Sequence, residues 1–151
     1  MREHFTARVA ILEKLLTLLL ESEPLSPPLR KAPGIYLLSE GATHLYVGRT
    51  KNIQQRFRNH SNASSGHNQA TFAFRIARQE TGHEKATYTV EGSRSALLQD
   101  PVFSAAFERA KARVRNMQLR FIEIDDPVQQ ALLEIYVAIC LETPLNDFEN
   151  H

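Results

Sequence analysis

The chain has 151 residues, of which 42% are hydrophobic and 23% charged, and its formal net charge is +1. These values predict one compact domain with an ordinary core, and they exclude a membrane-spanning protein because no stretch approaches the ~20 apolar residues that a span needs. Cys140 is the single cysteine, which excludes a disulfide framework and fits a reducing compartment, so we expect a cytoplasmic protein with no membrane partner. Apolar residues surround Cys140 in the sequence, and we therefore expect it in the core.

Charge is unevenly distributed along the chain. Residues 30–85 contain nine Lys or Arg and three Asp or Glu, whereas residues 118–151 contain one Arg and seven Asp or Glu. The basic region is expected either to face a polyanion such as nucleic acid or to be a solvated surface. The acidic region is interpreted as partly a metal site and partly solvated surface.

The first predicted element is a helix over residues 4–21, followed by a proline-rich segment. Apolar side chains recur in this helix at helical spacing: Phe5, Val9, Leu12, Leu16 and Leu19. Such a broad stripe predicts docking on the same domain or, as the alternative, a homodimer through this helix. Four prolines between residues 22 and 33 predict a semi-rigid linker. We therefore divide the chain into an N-terminal helix and linker, residues 1–32, and a main domain, residues 33–151.

Two β-rich segments separated by a turn predict a hairpin. The segments run from Gly34 to Leu38 and from His44 to Gly48, with a turn-prone run between them. Side chains alternate between the two faces of a strand, so Tyr36 and Tyr46 are able to project to the same side. The sequence leaves the register open.

Two helices are predicted after the hairpin. Asn52 is a suitable N-cap for a helix from Ile53 to about residue 62, on which Arg56 and His60 lie four residues apart and share a face. The next helix runs from about residue 68 to 79. We expect its Phe72 and Ile76 to point inward and its Arg75 and Arg78 to lie nearer the surface.

The last third of the chain is predicted to contain a helix, a strand and a further helix. Asp100-Pro101 marks the start of a helix that reaches about residue 116 and gathers cations near its end: Arg109, Lys111, Arg113 and Arg115. These cations either complement the helix dipole or form a second patch for phosphates. Residues 119–124 alternate as a strand, and Asp125-Asp126-Pro127 begins a helix from Val128 to about Leu141 that carries Glu134.

The order of a few residues resembles the GIY-YIG nuclease family. Gly34-Ile35-Tyr36 is followed, after nine residues, by Tyr46-Val47-Gly48; the other residues that carry the resemblance are Arg56, His60, Glu134 and Asn146. The resemblance spans residues 33–148. Val47 replaces the isoleucine of the second motif, the gap between the motifs is slightly short, and residues 81–117 resemble an insertion in the minimal module. Nothing in the chain resembles an attached DNA-recognition domain.

The resemblance implies an α/β (α+β) fold and a metal-dependent endonuclease. The expected fold is a small three-stranded antiparallel sheet flanked by helices, with an extra N-terminal helix. The expected activity is hydrolysis of DNA phosphodiester bonds by a one-metal mechanism, in which Tyr36 is the general base, Arg56 binds the scissile phosphate and Glu134 is the protein ligand of one Mg²⁺ or Mn²⁺. A phenol has an ordinary pKa of about 10, so it acts as a base only when nearby groups share or displace its proton.

Further site residues follow from the same resemblance. Tyr46 positions water or phosphate, and His60 relays a proton or bonds a phosphate oxygen; whether Tyr36 or His60 is the base is left open. Residues expected to contact the substrate or support its binding are Arg49, Lys51, Arg58, His67 and Asn146. The motif residues with structural roles are Gly34, Ile35, Val47 and Gly48.

Three functional hypotheses are kept. The first is the endonuclease, acting on single-stranded, duplex or branched DNA rather than RNA. The alternatives are a catalytically degenerate nucleic-acid-binding module and a nuclease subunit that depends on a partner, including a second copy bound through the N-terminal helix. The sequence contains no base-reading motif, so we expect phosphate-dominated binding that is sensitive to salt.

Overall fold

The structure is a computed structural model that describes residues 1–66, 70–82 and 93–148. Its fold is α+β, with a three-stranded antiparallel sheet and flanking helices, as the sequence predicts. The described helices are α1 (Arg2–Ala10), α2 (Leu12–Glu21), α3 (Ile53–Ser61), α4 (Thr71–Thr81), α5 (Arg94–Gln99), α6 (Pro101–Arg115) and α7 (Pro127–Leu141). The strands are β1 (Gly34–Glu40), β2 (Thr43–Thr50) and β3 (Gln118–Glu123). The chain forms two compact units, one of residues 1–55 with 117–151 and one of residues 56–116.

The sheet of the first unit has the order β2-β1-β3, and both pairings are antiparallel. The predicted hairpin and the predicted third strand are therefore confirmed. The buried cluster of this unit contains Ile35, Leu37 and Val47 from the hairpin together with Leu133 and Val137 of α7. Since side chains alternate along a strand, this set defines the core face of the sheet, on which α7 packs.

The predicted N-terminal helix is divided into two helices that meet at Ile11. In α2, Leu12 and Leu19 are buried in the core cluster, so docking on the same unit is confirmed for this half. In α1 the predicted apolar contacts are wrong, because Phe5 is 59% and Val9 41% exposed. Polar contacts hold α1 instead: the Arg8 guanidinium pairs with Asp126 at 2.9 Å. A homodimer through this region stays a prediction.

The proline-rich segment is attached to its unit at several points. The Leu25 amide donates to the Leu119 carbonyl at 2.7 Å along the outer edge of β3. The Gln54 amide donates to the Leu29 carbonyl at 2.8 Å, and Ala32 is buried. These contacts make the segment part of the folded unit rather than a free spacer.

The helix α7 begins as the sequence predicts. The Asp126 carboxylate accepts a hydrogen bond from the Val128 amide at 2.9 Å, and Pro127 occupies the first turn. The prediction that Cys140 lies in the core is wrong, because Cys140 is exposed. Apolar residues occupy both sides of this helix, with Val137 buried and Ile139 exposed, so an uninterrupted apolar run does not tell which side faces the core.

The second unit is helical and has an aromatic core. The α4 helix packs against α6, where the Phe74 ring lies 5.0 Å from Phe103 and 5.6 Å from Phe107 between centroids. Asp100 caps α6 by accepting from the Val102 amide at 3.0 Å, so the predicted helix start is confirmed. The first residues of the predicted helix 68–79 lie outside the described residues.

Two cations of the second unit are buried, against expectation. Arg78 is 7% exposed rather than near the surface. Lys111 is 2% exposed, and its ammonium donates to the Ala63 carbonyl at 2.7 Å and the Ser65 carbonyl at 2.9 Å. Lys111 therefore stabilises the loop after α3 through these hydrogen bonds and is not part of a phosphate-binding patch. Within the residues that the structure describes, no helix is long and apolar enough to cross a membrane.

Candidate active site

The register of the hairpin brings the two tyrosines together. Tyr36 lies opposite Gly48 and Leu38 lies opposite Tyr46. The Tyr36 and Tyr46 rings are 6.0 Å apart between centroids and tilted by 45°. Alternation places both on the face of the sheet away from the core face. The tyrosines thus share one side, as the sequence allowed, and Tyr36 is 3% exposed.

Close approaches explain why both motifs contain glycine. A Cβ atom at Gly48 would meet the Tyr36 ring, with Cε1 at 2.8 Å and Cζ and the hydroxyl oxygen closer still. A Cβ atom at Gly34 would meet the Ile122 carbonyl oxygen and would lie 2.8 Å from the Phe121 ring. Gly48 therefore provides the surface on which Tyr36 lies, and Gly34 allows β3 to approach β1.

Asn146 holds the backbone of the second motif. Its side-chain oxygen accepts from the Val47 amide at 2.9 Å, and its side-chain nitrogen donates to the Val47 carbonyl at 2.8 Å. The Thr143 hydroxyl donates to the same Asn146 oxygen at 2.7 Å. Leu145 adds a backbone bond to the Leu45 carbonyl at 3.0 Å. The Asn146 amide is thus engaged by protein backbone, which indicates a positioning role.

Thr143 is absent from the predicted site residues. Its spacing of three residues before Asn146, in a loop, is typical of local side-chain hydrogen bonding, and this spacing is the signal that the sequence offers. The residue is 7% exposed.

Arg49 and Glu134 form an ion pair. The Arg49 Nε lies 3.1 Å from the Glu134 Oε2, and their side chains are 50% and 22% exposed. Arg49 lies opposite Ile35 in the register, so alternation places it on the core face, where α7 carries Glu134. The residue predicted to bind phosphate and the residue predicted to bind metal therefore contact each other.

The start of α3 is fixed by local hydrogen bonds. The Asn52 side chain accepts from the Gln55 amide at 3.1 Å, which confirms the predicted N-cap. The Thr50 hydroxyl donates to the Asn52 carbonyl at 3.0 Å, and the Ile53 amide donates to the Ala32 carbonyl at 2.9 Å. Lys51, just before this helix, is exposed.

The later part of α3 belongs to the second unit and carries the other predicted residues. Arg58 is exposed and Arg56 half-buried. His60 is 2% exposed and meets the Phe72 ring edge-on, with centroids 6.0 Å apart. Burial, with the nearby Arg56 and Arg75 charges, lowers the pKa of His60 to about 3. The imidazole is therefore uncharged at neutral pH. His67 lies outside the described residues.

The described carboxylates do not form a multidentate metal site. Within residues 1–66, 70–82 and 93–148, no group of three or more His, Cys, Asp or Glu is placed to hold a metal ion. Glu134 fits a site with a single carboxylate ligand. Its partly exposed carboxylate already pairs with a positively charged group at 3.1 Å. A Mg²⁺ ion that keeps most of its waters needs only one or two carboxylates.

Comparison with known protein families agrees with this geometry. Residues 32–99 match the family model described as the GIY-YIG catalytic domain. This match covers less than half of the chain and supports a protein of the GIY-YIG nuclease family. This domain indicates nuclease-type activity and a nucleic-acid substrate, and nucleases of this family generally depend on a divalent metal ion. Neither the curated proteins nor the solved structures gave a match.

Proposed function

We propose that the protein is an endonuclease that hydrolyses phosphodiester bonds of DNA with one bound Mg²⁺ or Mn²⁺. The observation that carries this proposal is the pairing of the two motifs inside the matched domain, with Tyr36 across from Gly48 and beside Tyr46. Phosphodiester hydrolysis needs an activated water and stabilisation of the charge that develops on phosphate. The tyrosines serve the first need, and the cations and metal serve the second.

Tyr36 is the proposed general base and Tyr46 the group that positions water or phosphate. The burial of Tyr36 against Gly48 supports this assignment, because it holds the ring in one orientation. His60 is the weaker candidate for the base. A group whose pKa is about 3 takes up a proton poorly at neutral pH. We assign His60 to packing and to hydrogen bonding through its neutral ring.

Glu134 is the proposed metal ligand. Its carboxylate is 22% exposed and lies beside a guanidinium, and this pairing with a cation supports the assignment. A bound divalent ion would supply Lewis-acid stabilisation of the phosphate. With one carboxylate as protein ligand, metal binding without nucleic acid is expected to be weak.

The remaining cations are proposed contacts to the phosphate backbone. Arg56 grips the scissile phosphate, since a guanidinium is always charged and pairs with phosphate through two hydrogen bonds. Lys51 and Arg58 are exposed, which suits contacts to flanking phosphates, and Arg49 adds a further one. His67 remains a predicted contact to phosphate. Such binding loses strength steeply as salt is raised.

The extent of the nuclease domain is also a proposal. The matched segment begins at residue 32, which supports a domain that starts near residue 33, and α5 and α6 fall within the predicted insertion at residues 81–117. A location in the cytoplasm and the form of the DNA substrate stay predictions.

The experiment is cleavage of a panel of labelled substrates: single-stranded, duplex and branched DNA, and RNA, each with Mg²⁺, Mn²⁺ or chelator. Wild type is compared with Glu134→Ala and Tyr36→Phe. Matched controls are Glu123→Ala, which removes an exposed ion-paired carboxylate of the same unit, and Tyr136→Phe. We expect metal-dependent cleavage of DNA by wild type and both controls, and its loss in both site variants.

Other outcomes separate the alternatives. Binding of DNA without cleavage by wild type would support the degenerate binding module or the partner-dependent subunit. Cleavage confined to RNA would keep the nuclease and change its substrate. Equal cleavage by Glu134→Ala and wild type would remove Glu134 from the metal site.

A further inference from the structure

One ion pair joins the proposed metal ligand to a proposed phosphate contact. The Nε of Arg49 lies 3.1 Å from the Oε2 of Glu134. Arg49 directly follows the second glycine motif and lies near the end of β2, while Glu134 lies in the middle of α7. The two residues are far apart in the sequence, so the fold rather than local sequence brings them together.

The sheet register makes this contact a fixed property of the unit. Arg49 is opposite Ile35, and Ile35 belongs to the buried cluster that contains Leu133, the neighbour of Glu134 in α7. The backbones that carry the two side chains are therefore held by a packed core. The side chains themselves are 50% and 22% exposed, so the contact is open to water and to ions.

A divalent ion and a guanidinium compete for the same carboxylate oxygen. A Mg²⁺ ion binds a carboxylate oxygen directly at about 2.0–2.1 Å. A guanidinium that stays within hydrogen-bond distance of that oxygen is then close to a double positive charge and is repelled. A metal ion bound at Oε2 would therefore displace Arg49 from that oxygen.

We propose that Arg49 is a built-in competitor of the metal ion at Glu134. In the metal-free protein, Arg49 neutralises Glu134 and weakens metal binding; after the ion has displaced it, the guanidinium is available to a phosphate oxygen of the substrate. The proposal rests on the proposed function, since it takes Glu134 as the metal ligand. Arg49 thus pairs first with Glu134 and, after metal binding, with a phosphate oxygen of the substrate.

The expected size of the effect follows from the exposure of the pair. Exposed ion pairs contribute up to about 1 kcal/mol, which corresponds to about five-fold in a dissociation constant. Removal of the competing charge should therefore strengthen metal binding by about two- to five-fold. Substrate cleavage should change in the opposite direction, because the same substitution removes a phosphate contact.

The test is Mn²⁺ binding to the full chain without nucleic acid, measured by the electron paramagnetic resonance signal of free Mn²⁺ at low salt. Wild type is compared with Arg49→Gln, Arg49→Lys and Glu134→Gln. The matched control is Arg30→Gln, because Arg30 forms an exposed ion pair with Glu123 in the same unit, at 2.6 Å. It removes the same charge away from Glu134.

We expect Arg49→Gln to bind Mn²⁺ about two- to five-fold more tightly than wild type and to cleave DNA more slowly. Arg30→Gln should bind Mn²⁺ as wild type does, and Arg49→Lys should stay near wild type because a positive charge is kept. Tighter binding by Arg49→Gln and Arg30→Gln alike would reduce the effect to net charge and overturn the proposal. Unchanged binding by Arg49→Gln would also overturn it.

Glu134→Gln separates failure of this proposal from failure of the proposed function. If Glu134→Gln abolishes binding and Arg49→Gln leaves it unchanged, Glu134 remains the metal ligand and only the competition is refuted. If Glu134→Gln binds Mn²⁺ as wild type does, the metal ligand is wrong and the competition fails with it. Absence of Mn²⁺ binding in both wild type and Arg49→Gln also overturns the competition.

Discussion

Replacement of Gly48 by alanine tests the contact on which the proposed site depends. The new Cβ would lie 2.8 Å from Tyr36 Cε1 and closer still to Cζ and the hydroxyl oxygen. Tyr36 is 3% exposed and has little room to move, so the contact cannot be relieved by a small rotation. Overpacking of a core lowers the free energy of unfolding by about 1–3 kcal/mol. Alanine in place of glycine raises it by about 0.4–1 kcal/mol, because alanine restricts the unfolded chain.

The net expectation for Gly48→Ala is a loss of about 1–2 kcal/mol in the free energy of unfolding. For a chain of this size, that corresponds to a fall of about 2–8 °C in Tm. The assay is urea unfolding followed by circular dichroism. The matched control is Gly66→Ala, because a Cβ at Gly66 would meet no atom within 4 Å; this variant should be as stable as wild type or slightly more stable.

A double-mutant cycle identifies the cause of the loss. Leucine in place of Tyr36 lacks all three atoms that the Gly48 Cβ would meet, namely Cε1, Cζ and the hydroxyl oxygen. In the Tyr36→Leu background, Gly48→Ala should therefore cost nothing, which gives a coupling of about 1–2 kcal/mol. An equal loss in both backgrounds would refute the reasoning, because the Tyr36 ring would then not be the obstacle.

Three further predictions concern polar side chains that are buried or half-buried. The pKa of His60 is lowered to about 3 in the folded protein and is ~6.5 in the unfolded chain. The contribution of His60 to the free energy of unfolding is therefore fully present above about pH 6.5 and is lost as the pH falls toward 3. In urea unfolding between pH 7 and 4.5, wild type should lose on the order of 2 kcal/mol more than His60→Gln. Asn146→Ala removes both side-chain bonds to Val47 and should cost about 1–3 kcal/mol, and thermal unfolding that matches wild type would contradict this. Lys111→Met leaves two carbonyls without the ammonium and should lower the free energy of unfolding by about 2–4 kcal/mol, measured with denaturant. The control Arg109→Met removes an exposed ion pair and should lower it by less than about 0.5 kcal/mol.

Features with a local cause were predictable from the sequence. The caps at Asn52, Asp100 and Asp126 each depend on a side chain and a backbone amide two or three residues away. The hairpin depends on two adjacent strands and the turn between them. The sequence therefore placed the starts of three helices and the two motif strands correctly.

Burial and pairing between distant residues were not predictable in the same way. The sequence predicts that Lys111 complements the helix dipole or binds phosphate, yet the residue is 2% exposed and donates to two carbonyls of a distant loop. The apolar residues of α1, Phe5 and Val9, have helical spacing. This spacing does not tell whether another element packs against them, and both are exposed. The contacts of Arg49 with Glu134 and of Asn146 with Val47 join residues far apart in the chain, and no local pattern encodes them.

Both edges of the sheet are occupied by segments that are not strands of it. Leu25 bonds to the outer edge of β3, and Leu145 and Asn146 bond to the outer edge of β2. An uncovered strand edge is a template on which a second chain adds by backbone hydrogen bonds. A chain shortened before Thr143 would expose the β2 edge, and we expect it to self-associate through that edge in light scattering. The loop that positions the second motif thus also covers the β2 edge.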